Sequence, residues 1–291
     1  MLPVRCCLHK MRNTGILIIA VGHPQYARMA ENLARSIRFQ SDIPICLAWG
    51  GKSISALNGN SFKYFDEMIE MPKDFYHTWH DEYLRPKVNL DQITPFKETL
   101  YLDADMIWLP WKHAKIDLLF EQLKDVDFAM PYRSSCGLSN PKKGGSDWCD
   151  LNELKHKYKF NDETYYNVSS EIMWFKKKDI IRKARKHYDT LKVNLTHHLG
   201  NSIPDELPYS IALMEKELKP NPFDSWRPVY WENVEVKNPL PGQKIENFYA
   251  FSMGGAQTRP STQKYYNNLA QFYNKQYHKW IDKSKFTTRM V

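Results

Sequence analysis

Two segments near the start of the chain are apolar on consecutive residues instead of alternate ones. Gly15–Val21 reads Gly-Ile-Leu-Ile-Ile-Ala-Val, and Pro44–Trp49 reads Pro-Ile-Cys-Leu-Ala-Trp. Strands with both faces buried have this composition, and they are typical of parallel sheets. Between them, apolar residues recur every three or four positions, which predicts a helix with one buried face. These residues are Tyr26, Met29, Ala30, Leu33, Ala34 and Ile37. The strand–helix–strand order predicts an α/β fold.

The same patterns predict the other elements of a mainly parallel central sheet. Further strands are expected at Leu100–Leu102, at Val126–Met130 and within Tyr165–Phe175. Helices are expected at Arg85–Ile93, 116–124, Pro208–Leu218 and 262–280, and another helix carries the apolar stripe Ile180, Ile181, Ala184, Tyr188 and Leu191. Ser134–Asp147 is expected to be a mobile loop, and residues 219–261, which contain six prolines, are expected to be irregular.

The chain as a whole predicts a single domain over residues 15–261. Residues 1–14 then form an N-terminal extension, and residues 262–291 form an aromatic and basic helical tail. The N-terminus lacks the apolar segment of a signal peptide, and the five cysteines contain no Cys-x-x-Cys pair. An odd number of cysteines favours reduced thiols over a disulfide framework. These features predict a cytoplasmic location, or the host cytoplasm if the protein is viral.

Basic residues are concentrated in one part of this chain, whose formal net charge is +8. Residues 176–192, the basic segment, contain eight Lys or Arg and two Asp, an excess of +6. This excess predicts a surface for a polyanion such as nucleic acid, an anionic membrane or an acidic glycan. The candidate contact residues are Lys176, Lys177, Lys178, Arg182, Lys183, Arg185 and Lys186. The Lys-bearing aromatic helix 262–281 is a second candidate for peripheral contact with an anionic membrane.

A pair of carboxylates closes one of the predicted strands. Asp103 and Asp105 follow the apolar run Leu100–Leu102, and side chains two apart on a strand project to the same face. Hard divalent ions take oxygen ligands and commonly bridge a carboxylate to the phosphates of a substrate. A second pair with the same spacing, Asp125 and Asp127, precedes its apolar run and is expected in a solvated loop. Only the first pair therefore predicts a cation and pyrophosphate site.

The order of these features resembles the GT-A glycosyltransferases, and the glycogenin-like glycosyltransferase family 8 in particular. That family opens with a strand, a loop ending in Tyr and a helix, matched here by Ile16–Val21 and by Tyr26 onward. It continues with a Lys-bearing helix and a strand ending Leu-Asp-Ala-Asp, matched by Lys87 and Leu102–Asp105. Further matches are Asn167, the Asp205-Glu206 pair and the Gly-rich Gly254–Pro260. The resemblance spans about residues 15–260 and implies the GT-A, Rossmann-like fold.

The resemblance also implies a nucleotide-sugar donor, with a UDP-sugar expected. Tyr26 would offer its ring to the base of the donor, and the backbone of Ala20, Val21 and Gly22 would read the edge of that base. Lys87 would place a point charge near a phosphate or the sugar. The other implied donor-binding residues are Asp103, Ala104, Gly254, Gly255 and Arg259. The two glycines would allow close backbone approach to the pyrophosphate, and the arginine would add bidentate charge.

The implied catalytic residues are Asp105, Asn167, Asp205 and Glu206. Asp103 and Asp105 would ligate Mn²⁺ or Mg²⁺, which neutralises charge developing on the leaving nucleoside diphosphate. Asn167 and Asp205 would orient the sugar and the acceptor. The family usually supplies a further metal-binding His from its closing loop, whereas residues 249–255 contain none. The third protein ligand of the metal therefore stays open.

The acceptor and the stereochemistry also stay open at this point. The family retains the anomeric configuration, whereas an inverting enzyme would use Asp205 or Glu206 as a base. The candidate acceptors are a hydroxylated base in duplex DNA, which the basic segment would track, an envelope glycan or lipid-linked acceptor, and a protein hydroxyl. A different class is a GT-A-like protein without activity that binds nucleic acid or another polyanion.

Overall fold

A computed structural model gives the fold over residues 12–76, 85–137, 149–160, 164–194, 204–220, 229–231, 248–253, 263–264 and 266–276. The strands are β1 Arg12–Ala20, β2 Ile45–Trp49, β3 Glu67–Glu70, β4 Phe96–Asp103, β5 Met106–Trp108, β6 Phe128–Ala129, β7 Tyr132–Gly137, β8 Thr164–Val168, β9 Ile172–Phe175, β10 Val229–Trp231 and β11 Ala250–Ser252. The α-helices are α1 Pro24–Arg38, α2 Leu90–Ile93, α3 Ile116–Leu123, α4 Leu151–Tyr158, α5 Asp179–Asn194 and α6 Glu206–Met214. Residues 266–276 are also helical, as predicted for that part of the tail.

The central sheet contains six strands in the order β3–β2–β1–β4–β9–β6. The first four run parallel, and β9 is antiparallel to both β4 and β6. In the register of β1 and β4, Ile19 lies beside Asp103, so the carboxyl ends of these two strands meet at one edge of the sheet. The predicted α/β fold with a mainly parallel sheet is confirmed.

Side chains of β1 pack on both faces of the sheet, which explains why consecutive residues of this strand are apolar. Ile16 and Ile18 join the core formed with α1, whereas Leu17 and Ile19 join the core formed with α5 and α6. Helix α1 buries the predicted positions Met29, Ala30, Leu33, Ala34 and Ile37. Helix α5 buries Ile180, Ile181, Ala184, Tyr188 and Leu191, which confirms its predicted stripe.

Two smaller sheets bring distant segments of the chain together. In the sheet β10–β11–β5, β11 is antiparallel to β5, and Ser252 pairs with Met106. The backbone N–H of Met253 then donates to the carbonyl oxygen of Asp105 at 3.0 Å. The strands β7 and β8 form an antiparallel pair in which Ser134 lies opposite Asn167. Both small sheets therefore bring segments from distant parts of the sequence close to β4.

Some predicted elements differ in kind from those observed. The single helix expected at Arg85–Ile93 is divided into a 3₁₀ helix, Arg85–Asn89, and the short helix α2. The division lies at Asn89, because its backbone leaves the helical region with φ −114° and ψ 12°. Tyr165–Phe175 contains two strands, since residues 169–171 turn the chain between β8 and β9. The expected loop Ser134–Asp147 begins as strand β7, whose hydrogen bonds come from β8. Its residues 138–147 lie outside the described residues.

Other differences concern the limits of elements. The strand expected at Val126–Met130 is shortened to β6, and the helix expected at Pro208–Leu218 begins at Glu206 and ends at Met214. The irregular structure expected at 219–261 is interrupted by β10 and β11, because a partner from another part of the chain, β5, supplies the hydrogen bonds that local composition does not reveal. Among the helices that the structure describes, none is long and apolar enough to cross a membrane.

Candidate active site

The carboxylates of Asp103 and Asp105 lie at the carboxyl end of β4. Asp103 is the last residue of the strand, whereas Asp105 follows in the tight turn before β5. The expectation that both project from one strand face is therefore wrong for Asp105, because the strand ends before it. Asp105 is buried, and its carbonyl is tied to Met253 of the closing segment. The pair Asp125 and Asp127 is exposed, as expected for a solvated loop.

Lys87 lies at the centre of a buried network, here called the Lys87 network, with Asp103, Asp205, Ser170 and Tyr101. Its Nζ donates to Asp103 Oδ2 at 2.8 Å and to Ser170 Oγ at 3.1 Å, and lies 3.7 Å from Asp205 Oδ2. Burial alone would lower the pKa of the Lys87 ammonium, but Asp103, Asp205 and weaker contributors raise this pKa well above its usual value. Lys87 is therefore cationic and shared between two carboxylates.

Asp205 has unused hydrogen-bonding capacity. It occupies the N-cap position of α6, and only 1% of it is exposed. Its Oδ2 is buried and has no hydrogen-bond partner among the residues that the structure describes. Since an unmade hydrogen bond of a buried carboxylate is costly, such an atom suits a hydroxyl or amide donor of a ligand. Glu206, the next residue, is half-buried and contributes to the raised pKa of Lys87.

Asn167 is fully buried on β8 and faces β7. Its Nδ2 donates to Ser134 Oγ at 2.7 Å. Ser170, which follows the end of the same strand, is the residue of this segment that contacts Lys87. Sequence reasoning missed this role of Ser170, although it lies in the Asn167–Ser170 segment that the family resemblance singles out. The place of Ser170 three residues after Asn167 is the signal that the sequence offers for this role.

Sequence reasoning also missed two tyrosines. The Tyr101 hydroxyl donates to Asp103 Oδ1, and the Tyr209 hydroxyl donates to the backbone carbonyl of Lys87 at 2.7 Å. The signal for Tyr101 was available, because residues 101 and 103 share a face of β4. Tyr209 lies 122 residues from Lys87, and the two meet because α6 and the 3₁₀ helix both pack against α5.

The end of β1 and the start of α1 form the remaining described part of the predicted donor site. Gly22 adopts a positive φ of 72° at the turn, and Tyr26 is half-buried in the first turn of α1. The carbonyl of Ala20 accepts from Gly50 N–H at 3.1 Å and from Ser53 Oγ at 2.9 Å. Both of its lone pairs are thus used internally, so this carbonyl is already occupied within the protein.

The other predicted donor-binding residues are Ala104, which the structure describes, and three residues of the Gly-rich segment, which it does not. Ala104 is buried in the turn between Asp103 and Asp105. Gly254, Gly255 and Arg259 lie outside the described residues. In this part of the chain the described residues end at Met253, whose backbone N–H donates to the carbonyl oxygen of Asp105.

Comparison with solved structures identifies the fold. The galactosyltransferase LgtC, solved in complex with donor and acceptor sugar analogs, superposes with a TM-score of 0.52 at 13% identity, over 88% of this chain and 95% of LgtC. An active-site mutant of LgtC gives 0.51 at 14% identity over the same shares. The bifunctional glycosyltransferase WbbM, in its apo form, gives 0.54 at 11% identity, over 87% of this chain and 47% of WbbM. The protein has the GT-A fold. No protein-family model and no curated protein sequence matches the chain.

Asp103 and Asp105 are the carboxylates that the sequence predicts to bind a divalent cation. Among the described residues, no group of three or more His, Cys, Asp or Glu is arranged to hold a metal. Mg²⁺ and similar hard ions are commonly bound by one or two carboxylates, with waters and substrate phosphates completing the shell. Asp103 has one oxygen bonded to Lys87 and one to Tyr101, and each oxygen keeps a second lone pair. The oxygen donors of Asp103 therefore fit Mn²⁺ or Mg²⁺ bound together with a diphosphate, and Asp105 would supply the second carboxylate.

The basic segment lies apart from these carboxylates in its contacts, and its charges are largely paired. Lys176 lies 3.1 Å from Glu98, Lys177 2.5 Å from Asp127, and Lys183 2.6 Å from Glu215, while Arg182 and Arg185 lie 3.6 and 2.6 Å from Asp91. Lys178 donates to the Asp91 carbonyl at 3.0 Å, and Lys186 is exposed. The four partner carboxylates, together with Lys216, which pairs with Asp179 of the segment, change the local excess from +6 to +3. Lys176, Lys177 and Lys178 also precede α5 instead of lying on it.

Proposed function

We propose that this protein transfers a sugar from a nucleotide-sugar, with a UDP-sugar as the expected donor, to an acceptor hydroxyl. The observation that carries the proposal is the meeting of Asp103, Lys87 and Asp205 at the carboxyl end of the parallel strands, with Asp105 two residues beyond Asp103 in the turn. Ligands of open α/β sheets bind at this edge. The GT-A fold supports the proposal, since its solved examples include sugar transferases.

The donor would lie across the ends of β1 and β4. Tyr26 would pack against its base, and the backbone of Val21 and Gly22 would contact the edge of that base. Asp103 lies beside the end of β1, which suits contact with the ribose and the diphosphate. When bound, Mn²⁺ or Mg²⁺ would be held by Asp103 and Asp105 and would supply positive charge for the departing diphosphate.

The sugar and the acceptor would be oriented by the Lys87 network. The Oδ2 of Asp205, which lies 3.7 Å from Lys87 Nζ and has no hydrogen-bond partner among the described residues, would accept a hydrogen bond from a sugar or acceptor hydroxyl. Lys87, between Asp103 and Asp205, would direct positive charge towards the diphosphate side of the sugar. Asn167 and Glu206 complete the proposed catalytic set, and Gly254, Gly255 and Arg259 the proposed donor set. Each of these groups binds, orients or neutralises charge without forming a bond to the sugar.

Release of the nucleoside diphosphate from a panel of nucleotide-sugars tests the proposal. We expect turnover of a UDP-sugar with Mn²⁺ or Mg²⁺ and a loss of about 100-fold or more in Asp105→Asn, because a preorganised charged group is removed. Asp125→Asn is the matched control, because Asp125 belongs to the exposed pair with the same spacing. If neither ion supports binding or turnover of any nucleotide-sugar, the protein is instead a GT-A-like protein without this activity.

Retention of the anomeric configuration is part of the proposal, because the family that the sequence resembles retains it. Proton NMR of the first product formed distinguishes its anomer from that of the donor. We expect the same anomer in both. An inverted product would instead give Asp205 or Glu206 the role of a base that removes the proton of the acceptor hydroxyl.

A further inference from the structure

Tyr101 reaches the carboxylate of Asp103 from the buried side of β4. The two residues are separated by one position on the strand, so their side chains lie on the same face. Tyr101 is 1% exposed, and its ring belongs to the core between the sheet and helices α5 and α6. Its hydroxyl donates to Asp103 Oδ1. The ring is thus a core element, whereas the hydroxyl is directed at a carboxylate of the site.

The other oxygen of Asp103 is held by Lys87, whose Nζ donates to Oδ2 at 2.8 Å. Lys87 is fixed in turn, because the Tyr209 hydroxyl binds its backbone carbonyl at 2.7 Å and Ser170 Oγ accepts from its Nζ. One donor therefore holds each carboxylate oxygen. A carboxylate gripped at both oxygens cannot rotate freely about its last torsion, so the direction of its remaining lone pairs is set.

We infer that Tyr101 is a positioning residue, which fixes the Asp103 carboxylate so that its remaining lone pairs meet a divalent cation bound with a nucleoside diphosphate. This inference rests on the proposed function. Hydrogen-bond partners of metal ligands orient those ligands, and their loss weakens metal binding although they do not touch the metal. Tyr101 has this relation to Asp103, since it contacts the carboxylate and lies within the core.

The test is direct binding of Mn²⁺ to the purified protein, with and without UDP. Electron paramagnetic resonance measures the concentration of free Mn²⁺. Tyr101→Phe keeps the ring and removes only the hydroxyl. We expect this variant to bind Mn²⁺ with UDP about 10-fold more weakly, with a melting temperature close to that of the wild type. In turnover assays, the Mn²⁺ concentration for half-maximal rate should rise by a similar factor.

Tyr273→Phe is the matched control. The Tyr273 hydroxyl is also buried, and it donates to the carbonyl of Trp108 at 2.6 Å, away from the carboxylates. This variant should bind Mn²⁺ and UDP as the wild type does. In the Asp103→Asn background, Tyr101→Phe should add less than about twofold further loss, because a residue that acts through Asp103 has nothing left to position.

The possible results separate the inference from the function on which it rests. A wild-type chain that binds neither Mn²⁺ nor UDP contradicts the proposed function and, with it, the role of Tyr101. A wild type that binds both, with Tyr101→Phe equal to it, overturns only the role of Tyr101. Equal weakening by Tyr273→Phe, or failure of Tyr101→Phe to fold, would show that the hydroxyl serves stability and would also overturn the inference.

Discussion

The Lys87 network and the basic segment are both rich in charge, and they arrange it in opposite ways. In the Lys87 network one ammonium is shared by the half-buried carboxylate of Asp103 and the buried carboxylate of Asp205, and one oxygen of Asp205 has no hydrogen-bond partner among the described residues. In the basic segment most cations are paired with a carboxylate at the surface, as Lys177 is with Asp127. The first region has few charges and unused bonding capacity, whereas the second has many charges and little excess.

This difference teaches that the number of charges in a segment does not indicate how much charge it offers to a ligand. Exposed pairs contribute little to stability, because water solvates each partner almost as well when the partners are apart. A buried carboxylate with an unmade hydrogen bond is costly to keep, unless a ligand or solvent completes it. By this argument the small buried network is the better candidate for a functional site.

The largest effect is expected from Lys87→Met. This substitution leaves Asp103 and Asp205 buried without their shared cation, so the free energy of unfolding should fall by about 3 kcal/mol. Sugar transfer should fall by about 100-fold, because the charge beside the diphosphate is lost. Urea denaturation and nucleotide release measure the two effects.

The control for Lys87→Met is the double variant with Asp205→Asn. It removes one of the two uncompensated charges, so it should regain part of the lost stability without regaining activity. A single Lys87→Met variant as stable as the wild type would remove the contrast between the two regions, because the buried ion pairs would then be no more important than those at the surface.

An intermediate effect is expected from Arg185→Met, because Arg185 is a residue of the basic segment whose side chain is partly buried. Arg185 Nη1 donates to Asp91 Oδ1 at 2.6 Å and to Asn89 Oδ1 at 3.4 Å, so it ties α5 to the segment that carries Lys87. The free energy of unfolding should fall by about 2 kcal/mol. Donor affinity should also fall modestly, as titration with UDP can measure.

Arg182→Met is the matched control on the same helix. Arg182 lies 3.6 Å from the same Asp91 but is mostly exposed, so its loss should change the free energy of unfolding by no more than about 0.5 kcal/mol. Equal losses in the two variants would mean that burial does not separate structural from superficial charge in this segment.

Local patterns predicted the parts of the fold and site that depend on neighbouring residues. The unbroken apolar run of β1, the buried face of α1 and the position of Asp103 at a strand end all follow from spacing along the chain. Contacts such as Lys87 with Asp205, Arg185 with Asp91 and Tyr209 with Lys87 join residues far apart in sequence. They depend on how helices pack on the sheet, and no local period encodes them. The charge balance of the basic segment could not be read from its own residues for this reason, because its partner carboxylates come from other segments.

The smallest effect is expected from neutralising exposed lysines of the basic segment. Lys177 is paired with Asp127, and Lys186 is exposed on α5. With a local excess of only +3, we expect the double variant Lys177→Gln, Lys186→Gln to melt at the wild-type temperature and to bind labelled duplex DNA within about twofold of the wild type.

Fluorescence anisotropy over a range of salt concentrations measures this binding. If the segment follows the phosphates of a duplex, removing two contacts should lower the slope of log affinity against log salt by about two. That result would support duplex DNA, one of the acceptors that the sequence leaves open, because both exposed cations would then contact phosphates although Lys177 is paired with Asp127. An unchanged slope would mean that the two lysines are solvated surface residues that do not contact DNA. The acceptor would then have to be recognised near Asp205, whose Oδ2 has no hydrogen-bond partner among the described residues.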